Sequence, residues 1–289
     1  MSKIFEKYAF RTHFIYTLIN KKMKFQIKNI VAVMAMAFAL TSCNNDDTPA
    51  VAADEKGTLK VEFDNVYGSA DLAFATSYTN SNGEVIKVSK AKYIVSNIVL
   101  TKADGSTYTV PKSQSYFIID EATAASTLLN LPNIPAGDYK SIKFGIGVDK
   151  AQWELGATGQ GDFLTQAQAA GMMWSWSAGY KFVAFEGTFT STTVTTDTSY
   201  MVHTGQTGTD YNYTEVTLNF PNNALVRSTI TPQVHIMADL QHIIDGTNKI
   251  SLESNNMGGM GAMIMGGANL PLVTANLNNM FKIHHVHND

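Results

Sequence analysis

From Thr58 onward, apolar residues recur at every second position. Leu59, Val61 and Phe63 alternate with Lys60, Glu62 and Asp64, and Ile142, Phe144, Ile146 and Val148 alternate with Lys143, Gly145, Gly147 and Asp149. Val216, Leu218 and Phe220 do the same around Thr217 and Asn219. That spacing suits a pleated strand with one buried face, and it defeats a helix, whose apolar stripe repeats every three or four residues. Further β-branched and aromatic runs predict strands at 85–88, 93–101, 107–110, 116–119, 180–189, 200–203, 230–238 and 249–252. Turn-forming clusters such as Ser81-Asn82-Gly83, Asp104-Gly105-Ser106 and Asp245-Gly246-Thr247 separate them. Helices are predicted only at 123–129, 163–170 and 239–244. Closely spaced strands without long intervening helices predict an all-β domain over residues 57–289. Its expected form is an antiparallel β-sandwich or barrel-like fold with few short helices.

Composition narrows the class further. With 45% hydrophobic and 16% charged residues among 289, the chain has the apolar content that a packed core needs. A single cysteine, Cys43, excludes a disulfide framework and thiol chemistry within the domain. The net charge of −3 hides an asymmetry: residues 1–42 carry seven Lys or Arg against one acid, Glu6. The remainder holds 14 basic and 23 acidic side chains, a net of −9. Such a body repels phosphate polymers, so nucleic acid is not an expected partner, and it favours cations.

The basic start reads as an address. Lys24 and Lys28 precede an unbroken apolar run, residues 30–40, that ends in Leu40-Thr41-Ser42-Cys43. A positive segment, a short apolar core and small residues before a cut describe a secretory signal peptide over residues 1–42, with Met23 a more natural start than Met1. The run falls short of the ~20 residues that span a bilayer. Leu-Thr-Ser-Cys resembles the bacterial lipobox, which implies that Cys43 is lipidated and that residues 43–56 are a tether. The acidic Asn44-Asn45-Asp46-Asp47 resembles the export signal of Bacteroidetes surface lipoproteins. The expected location is therefore the cell envelope, lipid-anchored at the outer membrane, on its periplasmic or surface face.

No Walker loop, G-x-S-x-G elbow or H-E-x-x-H pair is present, and nothing argues for an enzyme. The unusual residues are tryptophans, histidines and methionines. Trp153, Trp174 and Trp176 are the only tryptophans, and in a strand Trp174 and Trp176 would share a face. His203 closes a predicted strand; His285 and His287, in an extended tail, would project together and reach one ion. His235 and His242 read as ordinary satisfied or solvated side chains. Residues 257–265 carry four methionines among glycines, either soft copper ligands or a deformable apolar lid.

The order of these pieces resembles the MbnP family of secreted copper-binding proteins. The carrying segments are Leu59-Lys60-Val61-Glu62-Phe63, Ala91-Lys92-Tyr93-Ile94-Val95-Ser96-Asn97, Ile134-Pro135-Ala136-Gly137-Asp138-Tyr139 and Phe144-Gly145-Ile146-Gly147-Val148-Asp149. They continue through Met173-Trp174-Ser175-Trp176, Gly179-Tyr180, Glu186-Gly187, His203-Thr204-Gly205 and the final histidines. The resemblance implies a β-sandwich that binds copper, Cu(I) or Cu(II), for acquisition or buffering. It also implies a partner di-haem enzyme of the MauG type that oxidises a tryptophan, here Trp174 or Trp176. Implied ligands are His203, His285 and His287, expected to converge at one rim of the sandwich. The alternative is a surface glycan- or peptide-binding lipoprotein, with Trp174, Trp176 and Tyr180 as a stacking platform.

Overall fold

Leu59, Val61 and Phe63 are buried, whereas Lys60, Glu62 and Asp64 remain half-buried, so the first alternating segment is a strand with one face to a core. The computed structural model describes residues 54–175 and 179–289. The signal segment, Cys43, most of the tether and Trp176 lie outside the described residues. The strands are β1 (Lys56–Tyr67), β2 (Ala70–Asp71), β3 (Ser77–Thr79), β4 (Val85–Lys102) and β5 (Thr107–Thr109). Then come β6 (Tyr116–Asp120), β7 (Leu128–Pro135), β8 (Gly137–Ile146), β9 (Lys181–Thr190) and β10 (Thr198–Thr207). β11 (Asp210–Tyr211), β12 (Thr214–Val226), β13 (Gln233–Asp239), β14 (Ala262–Ile264) and β15 (Phe281–His287) complete the set.

Two sheets result, and the fold is the expected all-β sandwich. One has five strands, in the order β15-β13-β1-β2 with β7 also on β1; the other has ten, along β11-β10-β9-β4-β8-β12 with β3, β5, β6 and β14 alongside. Pairing is antiparallel apart from β1 with β13 and β10 with β14, which are parallel. Parallel neighbours need long crossovers, and residues 68–232, with most of the other strands, lie between β1 and β13.

The sheets share one core. Phe63 from β1 meets Phe144 from β8 at 5.5 Å and Tyr93 from β4 at 6.1 Å between ring centroids. Phe281 from β15 closes the group, 5.2 Å from Phe144 and 5.7 Å from Tyr93. Edge-to-face rings of this kind add to the area they bury. A second, smaller cluster lies on the other side of the ten-stranded sheet: Ile94, Val148, Phe163, Ala167, Met172, Tyr180, Phe182 and Ala184. The helix Asp162–Ala169 contributes Phe163 and Ala167 to it. That outer face is therefore covered, and the outer face of the five-stranded sheet carries His235 and Glu62 only half-buried.

Several expectations change in detail. Segments 85–88 and 93–101 are one strand, β4, whose phase is corrected by an irregularity between Val88 and Lys90. Residues 123–129 do not form a helix: a single turn, Ala124–Ser126, runs into β7. Residues 249–252 form no strand, only a bridge from Lys249 to Asp245. The helix predicted at 239–244 is four residues, His242–Asp245. The predicted 163–170 helix is present as Asp162–Ala169, and a helix at Asn269–Leu277 adds to the set.

Candidate functional site

Most residues behind the family resemblance turn out to hold the fold. Asn97 sits in β4 at φ 52° and donates to Asp149 Oδ2 (2.9 Å) and to the Tyr213 hydroxyl (2.9 Å). Asp149 in turn accepts from Lys112 Nζ (2.7 Å), the Tyr116 hydroxyl (2.8 Å) and the backbone N–H of Gln152 (3.0 Å). Burial works to raise this carboxyl, but those hydrogen bonds outweigh it and bring it down to about 2. Gly147, at φ +106°, leaves room for the Phe182 ring, which a Cβ would meet at 2.3 Å. Tyr139 donates to the Pro135 carbonyl at 2.7 Å.

His203 is different, because it keeps unused chemistry. On β10, Val202 faces the shared core, so alternation turns His203 to the covered outer face, opposite Ala184 on β9. It is 3% exposed. Its Nε2 donates to Glu186 Oε1 at 2.9 Å, and Lys90 Nζ donates to both oxygens of the same carboxylate at 2.9 and 2.8 Å. A neutral ring that donates through Nε2 carries its lone pair on Nδ1. That Nδ1 is buried and has no hydrogen-bond partner among the described residues. Burial first, then the Lys181 and Lys90 charges, hold the imidazole below its ordinary value despite Glu186, so it stays neutral. Glu186 is the reverse case: burial would raise it, but Lys90 and His203 keep it ionised.

Trp174 lies over this imidazole, ring centroids 6.0 Å apart. It is not in a strand: Met173 and Tyr180 form a bridge, and the Trp174 backbone N–H donates to the Gly179 carbonyl (3.2 Å). Gly205 makes the approach feasible. A Cβ there would meet the Tyr180 carbonyl oxygen at 2.5 Å and Trp174 Cζ3 at 2.8 Å. Thus the His203-Thr204-Gly205 motif supplies an imidazole and the gap that admits a tryptophan beside it. Two thioethers share the face. Met201 stands two residues before His203, and its register partner on β14 is Met263, whose neighbours Ala262 and Ile264 point into the core. Met257 and Met260, in the same glycine-rich segment, are exposed.

His285 and His287 do project together, as strand geometry predicts, with Nε2 atoms 2.8 Å apart. They do not meet His203. Val234, Ile236 and Val286 face the shared core, so the histidines between them turn outward from the five-stranded sheet, away from the face that carries His203. Their companions are residues that the sequence left aside. His235 stacks on His285 (4.3 Å, 18°), and His284 Nδ1 lies 2.9 Å from His285 Nδ1. The pairing register explains why. His235 pairs with His285 but Ile236 pairs with Ile283, so His284 is an extra residue, a β-bulge that puts consecutive histidines on one face. Loss of solvent contact, then repulsion by His235, His287 and His284, lowers the His285 imidazole. Tyr180, expected in an aromatic platform, is 1% exposed and packed in the smaller cluster, so its face is not available to a ligand.

Fold and site together define a class: an all-β sandwich with a buried imidazole and a tryptophan on a covered outer face. The sequence matches the MbnP family model over residues 56–264, and the chain belongs to the MbnP family. Among solved structures, the chain is similar to MbnP from Methylosinus trichosporium, with 16% identity over 74% of this chain and 82% of that one and a TM-score of 0.43. Comparison with curated proteins gives no match. The matched span includes His203, Trp174 and His235 but ends before His284, His285 and His287.

Proposed function

We propose that this chain is an envelope-anchored, non-enzymatic copper-binding protein, serving copper acquisition or buffering, with His203 as a ligand. The observation that carries the reading is the buried Nδ1 lone pair of His203, unpartnered among the described residues and inside the family-matched span. A buried acceptor without a partner costs about 1–3 kcal/mol, and a metal ion would relieve it. Glu186, itself fixed by Lys90, holds the ring orientation from behind, the arrangement in which a carboxylate steadies a ligating imidazole. The thioethers of Met201 and Met263 on the same face suit Cu(I). Trp174 screens the site and is the ring a di-haem enzyme of the MauG type would oxidise next to the metal. Lipidation of Cys43 would keep the protein at the outer membrane, where two or more acyl chains anchor stably.

A competitive Cu(I) titration tests the site. His203→Ala should lose most of the affinity, Met201→Leu part of it, and intact mass of protein from its native envelope reads any oxidation of tryptophan. Parent-like Cu(I) binding by His203→Ala would overturn the assignment. The anchor has its own test: Cys43→Ala should move the protein from membranes into the soluble fraction.

A further inference from the structure

The open face of the five-stranded sheet gathers four imidazoles that the copper reading leaves unused. Three adjacent strands supply them in one row: Glu62 on β1 pairs with His235 on β13, and His235 pairs with His285 on β15. The bulge adds His284, and alternation adds His287. One ligand atom each from His235, His284 and His285 lies within 4.8 Å of the others. We infer that His235, His284 and His285, with His287 at the margin, form a second metal site, independent of His203, for a late first-row divalent cation such as Zn(II) or Cu(II).

Three features of the geometry point to a cation. First, Nδ1 of His284 and Nδ1 of His285 are 2.9 Å apart, while His287 meets the other nitrogen of His285, Nε2, at 2.8 Å and so braces that ring instead of sharing its ion. Metal–nitrogen bonds of about 2.0–2.1 Å place neighbouring ligand nitrogens about 2.9–3.4 Å from each other, so the His284 and His285 rings already stand at nearly the required separation. Their contact needs one N–H and one lone pair; a cation in place of the proton satisfies both lone pairs at once. Second, His235 Nε2 donates to the Glu62 carboxylate. A ring that donates through Nε2 offers Nδ1 to a metal, and the carboxylate behind it strengthens the ligand. Third, Glu62 and Asp64 share the outward face of β1, which lends the site negative charge. His284 and His287 are exposed, so an ion has direct access. Imidazole donors suit Zn(II), Cu(II) and Ni(II) and disfavour Mg(II) or Ca(II).

The site does not depend on the copper reading, and the experiment keeps the two apart. Isothermal titration of tag-free protein with zinc chloride should give the same isotherm for the parent and for His203→Ala. The double variant with His284→Ala and His285→Ala should lose that isotherm while its thermal melting is unchanged. His284→Gln, a single exposed substitution, should weaken it. In a His203→Ala background, loading with Cu(II) should give an electron paramagnetic resonance spectrum with imidazole nitrogen couplings that vanish when His284→Ala and His285→Ala are added. The inference is overturned if the parent shows no zinc isotherm, if the double variant binds zinc as the parent does, or if His203→Ala weakens zinc as much as the double variant does. Failure of the copper reading would show separately, as Cu(I) binding indifferent to His203.

Discussion

The two outer faces of this sandwich handle histidine in opposite ways. On the ten-stranded sheet, one imidazole is buried beside a tryptophan, held by a carboxylate that is itself held by a lysine. On the five-stranded sheet, four imidazoles cluster on an uncovered face, in contact with one another and, through His235, with Glu62. The covered face holds its imidazole in place through Glu186 and Trp174. The open face leaves two of its rings, His284 and His287, exposed and two, His235 and His285, half-buried. A rigid dry site discriminates between ions, whereas an exposed cluster captures whichever late divalent cation is most available. The family match cuts across this division: it includes His203 and Trp174 of the covered face and Glu62 and His235 of the open one, and stops before the terminal histidines.

Four substitutions should break or sharpen this contrast. The largest effect is expected where both faces hang on one core. Phe63 joins the sheets through Phe144, Tyr93 and Phe281, and Phe63→Ala should cost about 3–5 kcal/mol. Urea unfolding should show that loss together with weaker metal binding at both faces; a stability within experimental error of the parent would mean that the sheets are not joined there. Gly205→Ala comes next, at up to about 3 kcal/mol, because the new Cβ would press on a carbonyl and on the Trp174 ring. Tryptophan fluorescence should report the displaced ring and Cu(I) affinity should fall, with the zinc isotherm of the open face unaltered.

The third effect depends on pH and belongs to the covered face. Asp149 is lowered from 3.8 to about 2 in the folded state. A carboxyl lowered on folding stabilises the protein above its unfolded value, and that contribution disappears as pH falls through the folded value, here between about 4 and 2. It amounts to about 2 kcal/mol. Asp149→Asn should therefore be less stable than the parent at pH 6 and nearly level with it below pH ~2, as read by denaturant melts at both pH values. An equal gap at both would show that the carboxylate charge is not what matters. The smallest structural effect is expected at Glu62→Gln on the open face: within about 0.5 kcal/mol in stability, yet about tenfold weaker for zinc.

Much of the sandwich was legible because burial on one side of a strand imposes a local period. β1, β8 and β12 follow directly from Leu59-Val61-Phe63, Ile142-Phe144-Ile146 and Val216-Leu218. β7 was concealed by its own sequence. Pro132, Pro135 and an Asn133 at φ 60° interrupt the alternation, and a predicted helix overlapped its start. The site was half legible for a related reason. Alternation states which residues of a strand share a face, so the pairing of His285 with His287 could be read directly. It does not state which sheet a strand joins, and that alone separates His203 from the terminal histidines. His235 could be assigned to the cluster only through cross-strand register, set by contacts about fifty residues away in sequence.

The bulge at His284 changes what kind of mutation can add or remove a member of the cluster. In β15 the residues before and after it, Phe281, Ile283 and Val286, all reach the core, and only the extra histidine between them breaks the pleat. Deleting that single codon would leave Phe281, Ile283 and Val286 in strict alternation, with the core filled as before and one imidazole gone. Most strands cannot tolerate a one-residue deletion, because it turns every following side chain to the wrong face. Here the deletion would restore the pattern instead of disrupting it. In descent, then, one imidazole of the open face can be removed or added by a three-nucleotide length change, while His203 and its tryptophan can be altered only by substitutions that the packed face must absorb.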